Sequence, residues 1–195
     1  AAKKIRADSF VVETNIHYPS ESTLILDGSR KVIELAVVQA EAWNLPGWRQ
    51  HEHLLTKVKK LSHRIERIAA RKGPDYQTRL KKPYRQLLQV SGKILRKARR
   101  LCEELDAMDR DGSLVFQVQD LRTFMERTQH VRQTARRRVL NGEKVPNEDK
   151  LFSIFEPHTQ LYKRGKAGEP EQFGRLFLVY EDAAGFLVHH HLLPR

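Results

Sequence analysis

Several residue types are scarce in this chain of 195 residues, and each scarcity removes a class of protein. Its single cysteine excludes a disulfide framework and a cysteine-based zinc site. Cys102 falls inside a long helical pattern, which favours a structural role over a nucleophilic one. No apolar run approaches the ~20 residues that a membrane-spanning helix needs, and no secretory signal is visible. We therefore expect a cytoplasmic protein without a membrane partner.

Acidic residues are the other shortage. The chain carries 36 Lys and Arg against 24 Asp and Glu, a net charge of +12, which suits a polyanion such as nucleic acid. Between residues 57 and 100, sixteen Lys and Arg side chains stand against only Glu66 and Asp75. A helical segment with so few acidic partners repels itself. External phosphates explain this imbalance better than a merely solvated face does.

Apolar spacing predicts a helical middle. A first helix begins near Ser20 or Ser22, either of which can cap it, and ends near residue 43; Gly28 within it indicates close packing against another element. Further helices are predicted at residues 49–72, 76–109 and 113–140. The second of these has the spacing of a coiled-coil seam, with Pro83 marking its start or a kink. The last three helices, joined by short glycine-containing turns, are expected to pack antiparallel as a bundle.

Alternating apolar residues predict strands at both ends of the chain. The first strand, within residues 3–19, reads as buried in a sheet and carries Asp8 in its middle. A buried carboxylate is costly unless it pairs or holds a metal, whereas an edge strand would leave Asp8 in solvent. Residues 151–155 read as a short strand, and residues 173–180 and 186–193 as a hairpin.

Histidines and one glycine-rich loop are weaker signals. His189 and His191 share one face of the predicted strand, while the intervening His190 points to the other face. We interpret the three as strand sequence rather than as a metal site. The loop at residues 162–170 lacks the Ser or Thr and the spacing of a nucleotide-binding loop, although its cations can meet a phosphate or a carboxylate cluster.

Two long blocks of sequence carry a family resemblance. Residues 8–28 read Asp-Ser-Phe-Val-Val-Glu-Thr-Asn-Ile-His-Tyr-Pro-Ser-Glu-Ser-Thr-Leu-Ile-Leu-Asp-Gly. Far downstream, residues 152–159 read Phe-Ser-Ile-Phe-Glu-Pro-His-Thr, residues 163–168 Lys-Arg-Gly-Lys-Ala-Gly, and residues 173–180 Phe-Gly-Arg-Leu-Phe-Leu-Val-Tyr. These blocks resemble the catalytic region of bacterial insertion-sequence DDE transposases, most closely the ISNCY group. The resemblance covers residues 5–30 and 151–193, and the middle only in character.

The resemblance implies an α/β fold. A partial ribonuclease H-like core, made of the first strand and a C-terminal β-hairpin, would carry a large inserted antiparallel helical bundle, so that most residues are helical. We expect the first core strand and a covering helix at residues 1–47, the basic bundle at 48–142, and a linker, basic glycine loop and hairpin at 143–195. Asp8 would be a catalytic carboxylate and a ligand of Mg²⁺ or Mn²⁺, since such enzymes use clustered acids to hold two divalent ions.

The expected partner is DNA, namely transposon ends and target, and the coiled-coil-like helices leave self-association of the chain open. This predicts a bacterial, nucleoid-associated location. The cations expected to contact DNA are Lys57, Lys59, Lys60, Arg64, Arg67, Arg71, Lys72, Lys93, Arg96, Lys97, Arg99, Arg100, Arg136, Arg137, Arg138, Lys163, Arg164 and Lys166.

The remaining catalytic acids of the family have no counterpart in their expected setting. Glu156 precedes a proline in a loop and Asp182 lies at a hairpin tip, so both are poor substitutes. We therefore expect an internal fragment of a transposase that binds DNA but is catalytically incomplete. The alternative is a non-enzymatic basic helical module that binds nucleic acid or serves assembly.

Overall fold

The computed structural model describes residues 4–109, 112–163 and 170–193. These residues form a mixed α/β structure that is mostly helical, as the sequence predicts. In chain order the elements are β1 (Arg6–Glu13), α1 (Glu21–Ala42), α2 (His51–Arg71), α3 (Tyr76–Met108), α4 (Ser113–Ala135), a π-helical turn (Arg136–Leu140), β2 (Gln160–Tyr162), β3 (Gln172–Glu181) and β4 (Leu187–Leu192).

The chain divides into two compact units. One is the helical unit, Ser20–Ile154, and the other is the sheet unit, which combines the described residues of Ala1–Pro19 and Phe155–Arg195. The sequence predicted domain boundaries after residues 47 and 142 instead. The difference arises because α1, expected to cover the sheet, packs against α2, α3 and α4 in the helical unit.

Local chemistry explains where α1 begins. The Ser20 hydroxyl accepts a hydrogen bond from the Thr23 backbone N–H at 3.2 Å, and the Thr23 hydroxyl oxygen accepts one from the Ser20 N–H at 3.1 Å. This reciprocal pair is a capping box, which satisfies two N–H groups that the first turn leaves unbonded. Of the two caps that the sequence offered, Ser20 and Ser22, the helix uses Ser20.

Helix α3 supplies much of the core of the helical unit. Leu87, Ile94 and Leu105 of its predicted seam are fully buried, so the seam is used within the chain. The helix begins at Tyr76 and runs through Pro83, so a start at Pro83 is wrong. Pro83 is buried inside the helix, where it cannot donate the hydrogen bond that other residues make to the carbonyl four positions earlier. Cys102 is also buried, and burial raises the pKa of its thiol, as suits a structural cysteine.

Gly28 allows α1 and α4 to touch. A Cβ at this position would overlap the Thr128 hydroxyl oxygen and lie 3.0 Å from the Thr128 Cβ. That hydroxyl donates a hydrogen bond to the Phe124 carbonyl oxygen at 2.6 Å, which fixes its direction along α4. The close packing predicted from Gly28 is therefore confirmed.

The sheet unit is antiparallel and is organised around β3. Strand β1 pairs with residues 174–181 on one side of β3. Strand β4 pairs with residues 177–181 and β2 with residues 172–174, and both lie on the other side. The predicted C-terminal hairpin is confirmed. Strand β2 was not predicted, because it has only three residues.

Two expectations about the strands are wrong. Residues 151–155 form no strand; Phe152 and Ile154 are instead buried in the helical unit, where Arg127 donates a hydrogen bond to the Ile154 carbonyl at 2.8 Å. Strand β1 forms but is not buried, since Val11 is its one buried residue. The strand lies at an edge of the sheet, where its alternating apolar residues meet water.

Gly174 lets β1 approach β3. A side chain there would overlap the Val12 carbonyl oxygen and lie 2.9 Å from the Glu13 Cα. Gly174 belongs to the second block that carries the family resemblance, and Glu13, its partner in the register, belongs to the first. The two blocks are therefore joined in one sheet. In the part of the chain that the structure describes, no helix has both the length and the apolarity of a membrane span.

Replacing Gly28 with alanine tests the α1–α4 contact. We expect Gly28→Ala to lower the free energy of unfolding by about 1–3 kcal/mol, because the added methyl forces the helices apart or rotates Thr128. Urea denaturation of Gly28→Ala, Thr128→Ala and the double variant measures the coupling. Additive losses would contradict the contact, whereas the structure predicts that Thr128→Ala partly rescues Gly28→Ala.

Candidate nucleic-acid interface

Helices α2 and α3 form a hairpin that presents most of the predicted DNA-binding residues. Only residues 72–75 join the helices, so they run antiparallel. Lys72 and Asp75 have φ values of 28° and 60°, and Gly73 and Pro74 lie between them. These left-handed angles reverse the chain within four residues and bring the last turns of α2 next to the first turns of α3.

Helix α2 carries a regular row of cations, which we call the α2 stripe. Its residues recur at steps of three and four and are all exposed, on the side of the helix opposite buried Val58 and Ile65. They are Lys57, Lys60, Arg64, Arg67 and Arg71. Lys59 is exposed on another side of α2.

Helix α3 carries a second row, the α3 stripe, on the side opposite its buried seam. Its cations are exposed and follow the same helical spacing, with Gln89 completing the row. They are Lys82, Arg85, Lys93, Arg96 and Arg100. Arg99 is exposed beside this stripe, and Lys72 is exposed in the connection between the helices.

Within the described residues, the sixteen cations between residues 57 and 100 have no acidic partners. None of them forms an ion pair with a carboxylate among the residues that the structure describes. Ion pairs occur elsewhere, such as Arg122 with Asp106 and Arg30 with Asp27. The hairpin is therefore a surface of uncompensated positive charge, available to an external polyanion.

Lys97 differs from the other cations of α3. Its Nζ lies 4.6 Å from the centre of the Trp48 ring, and the side chain is partly buried. Burial lowers the pKa of Lys97. The ring contact is a packing interaction that keeps this ammonium close to the helical core.

The three arginines near the end of α4 that were predicted to contact DNA differ in their contacts. Arg137 pairs with Glu143 at 2.9 Å and with Asp149 at 3.5 Å, and the hydrogen bond to Glu143 raises the pKa of Arg137. Arg138 pairs with Glu21. Both guanidiniums are thus neutralised within the helical unit, whereas Arg136 makes no such pair among the described residues.

The glycine-rich loop is only partly described. Lys163 pairs with Glu171 at 3.0 Å, and this pairing holds the pKa of the Glu171 carboxyl below its usual value. Arg164 and Lys166 lie outside the described residues.

Sequence analysis missed Arg132, which joins α4 to α3. Its Nε donates to the Ser91 hydroxyl and its Nη2 to the Leu88 carbonyl, both at 2.9 Å, and its Nη1 donates to Gln129. Burial lowers the pKa of Arg132, and nearby Arg136 and Arg96 add to the effect.

Gly92 makes room for this arrangement, since a Cβ there would lie 2.5 Å from Arg132 Nη2 and 3.6 Å from Arg96 Nη1. The sequence signal that could have indicated this contact is a pair of adjacent small residues in α3, Ser91 and Gly92.

Asp8 lies in the middle of β1, as expected, but is exposed. It faces Val179 of β3 in the register, and its Oδ1 accepts a hydrogen bond from the Ser9 N–H at 2.7 Å. His190 pairs with the same Val179 from the other side, whereas His189 contacts the ring of Tyr180. Within the described ranges, no group of three or more His, Cys, Asp or Glu side chains is placed to hold a metal ion.

Searches for similar proteins found no matching family model, curated protein or solved structure.

Arg132 offers a test of how α3 and α4 are joined. We expect Arg132→Met, which keeps the side-chain length, to lower the free energy of unfolding by about 1–3 kcal/mol through lost charge-assisted hydrogen bonds. The control Arg30→Met removes an exposed ion pair and should change it by less than about 1 kcal/mol. Equal values in urea denaturation would mean that desolvation and arginine repulsion offset the hydrogen bonds of Arg132.

Proposed function

We propose that the helical unit binds the phosphate backbone of DNA through the α2 stripe and the α3 stripe. The observation that supports this most directly is the absence of ion pairs for any cation between residues 57 and 100, within the part of the chain that the structure describes. Contacts to phosphates position a protein on DNA without reading its sequence.

A merely solvated surface explains the hairpin less well. Solvated helices in proteins usually intersperse acidic and basic residues, because like charges at i,i+4 destabilise a helix. Here two helices that pack together both expose rows of cations, and Arg96 lies beside partly buried Arg132. Phosphates would relieve the repulsion within each row and gain further affinity by releasing counterions from the DNA.

We also propose that this DNA binding serves transposition. The proposal rests on the resemblance to DDE transposases, and two features support it: the two resembling blocks meet as β1 and β3 of one sheet, and the basic helices are inserted between them. A partial ribonuclease H-like core would give Asp8 of β1 a catalytic role, although an exposed edge strand also accommodates this carboxylate without one. Bound DNA would place the chain at the bacterial nucleoid.

The sheet unit as described does not fit a complete Mg²⁺ or Mn²⁺ site. Two-metal catalysis requires several carboxylates around the ions, and Asp8 offers one exposed carboxylate. No catalytic step is therefore derived from it. A non-enzymatic nucleic-acid-binding or assembly module requires only the helical unit and is the alternative function.

DNA affinity measured against salt concentration tests the binding proposal. We expect a variant with Lys57, Lys60, Lys93 and Arg96 changed to Gln to bind duplex DNA more weakly. The slope of log K against log salt should flatten by up to about 3.5, at about 0.9 per phosphate contact. Fluorescence anisotropy at 50–300 mM salt provides the measurement.

Two controls accompany that measurement. Changing Arg30, Lys31, Arg122 and Lys163 to Gln removes the same amount of charge from cations that already have acidic partners. Asp8→Asn leaves the helical unit untouched. Both controls should keep the salt slope of the parent chain. If the first control loses as much affinity and slope as the stripe variant, net charge alone explains the binding and the stripes are not the DNA contact.

A nuclease and strand-transfer assay tests the catalytic part. We expect the purified chain to bind DNA in Mg²⁺ or Mn²⁺ without cutting or joining it, since the described residues show no cluster of acids around Asp8. If the parent chain cuts or joins DNA and the Asp8→Asn variant does not, the expected catalytic incompleteness is wrong.

A further inference from the structure

A cleft of about 260 Å³ lies in the α2–α3 hairpin and is lined almost entirely by arginines. Its residues are Arg64, Arg67, Ile68, Arg71 and Arg79. We call it the arginine cleft. Three of the arginines belong to the α2 stripe, whereas Arg79 is not part of the α3 stripe and serves no role in the backbone contacts proposed above.

The connection between the helices creates this convergence. Arg64, Arg67 and Arg71 follow one another at steps of three and four along the last two turns of α2. The tight reversal at residues 72–75 then places the first turn of α3 alongside them. Arg79 lies against this connection, since a Cβ placed at Gly73 would lie 3.3 Å from Arg79 Nη2.

The cleft holds four positive charges and no compensating negative charge. No carboxylate lines it, and none of its arginines forms an ion pair among the described residues. Asp75 precedes α3 but does not pair with Arg79, and its side chain makes no capping hydrogen bond. Arg79 also lies in the first turn of α3, where the helix dipole disfavours a cation.

We propose that the arginine cleft binds a phosphate group with two negative charges, such as the terminal phosphomonoester of a nucleic-acid strand. A guanidinium presents paired donors that match phosphate oxygens. Four of them around a concave site suit a dianion better than the single charge of a backbone diester. The inference deepens the proposed nucleic-acid binding and rests on it: the stripes contact the backbone and the cleft receives the end.

Two DNA probes of one sequence test the proposal, a blunt duplex with 5′-phosphates and the same duplex with 5′-hydroxyls. We expect the parent chain to bind the phosphorylated duplex at least about fivefold more tightly, because the 5′-phosphate adds about two negative charges and each is worth a few-fold beside exposed cations. The variant Arg67→Gln with Arg79→Gln should lose this preference while still binding both duplexes.

The matched control is Arg96→Gln with Arg100→Gln, which removes two exposed charges from the same hairpin outside the cleft. It should weaken binding to both duplexes and keep the preference for the 5′-phosphate. Circular dichroism should show equal helix content in both variants, because all four positions are exposed.

Inorganic pyrophosphate separates the two sources of such a phosphate. If the parent chain and the control variant bind pyrophosphate, the cleft variant does not, and no chain prefers the 5′-phosphate, the cleft is supported as an anion site. Its ligand is then a free polyphosphate rather than a strand end. If the parent chain shows no preference for the 5′-phosphate and does not bind pyrophosphate, the inference is overturned. Failure to bind either duplex would instead overturn the proposed function, so the two failures are distinguishable.

Discussion

Apolar packing between α2 and α3 has to hold together a hairpin in which sixteen cations and only two carboxylates lie between residues 57 and 100. Repulsion between like charges on a helix costs about 0.2–0.5 kcal/mol for each i,i+4 pair. Burying one Val, Leu or Ile side chain contributes about 1.5–3 kcal/mol, and Val58, Ile65, Leu87 and Ile94 are all buried. Packing therefore dominates. The hairpin can form without a ligand, and its cations remain free to bind one.

Close approaches at three glycines join neighbouring elements, two of them within the helical unit and one within the sheet unit. Gly28 brings α1 against Thr128 of α4, and Gly92 leaves space for Arg132 between α3 and α4. Gly174 brings β3 against the end of β1. The first two build the helical unit that carries the charge. The third joins two sequence blocks that are separated by the whole of that unit, which is the organisation of a domain with an insertion.

The candidate site could be predicted in part. Counting charges in the sequence was sufficient for the surplus of cations between residues 57 and 100, and the structure then arranges most of them in two rows. The same reasoning treated Arg137, Arg138 and Lys163 as equivalent to the others, whereas Glu143, Glu21 and Glu171 neutralise them. For Asp8, the family resemblance favoured a buried strand over the edge strand that the sequence also allowed, since alternation does not distinguish the two, and the edge strand is the one formed.

What the sequence determined by itself is local: the four helices, a serine cap for α1, the C-terminal hairpin, the close approach at Gly28 and the surplus of cations between residues 57 and 100. Each depends on residues a few positions apart, whose geometry is set by the helix and strand periods. Only the tertiary structure decided which cations keep their charge unpaired, that α1 joins the helical unit, that Arg132 binds α3, and that Arg79 joins three arginines of α2. Those outcomes depend on contacts between side chains that are far apart in the sequence. Helix and strand periods do not indicate which distant side chains come into contact.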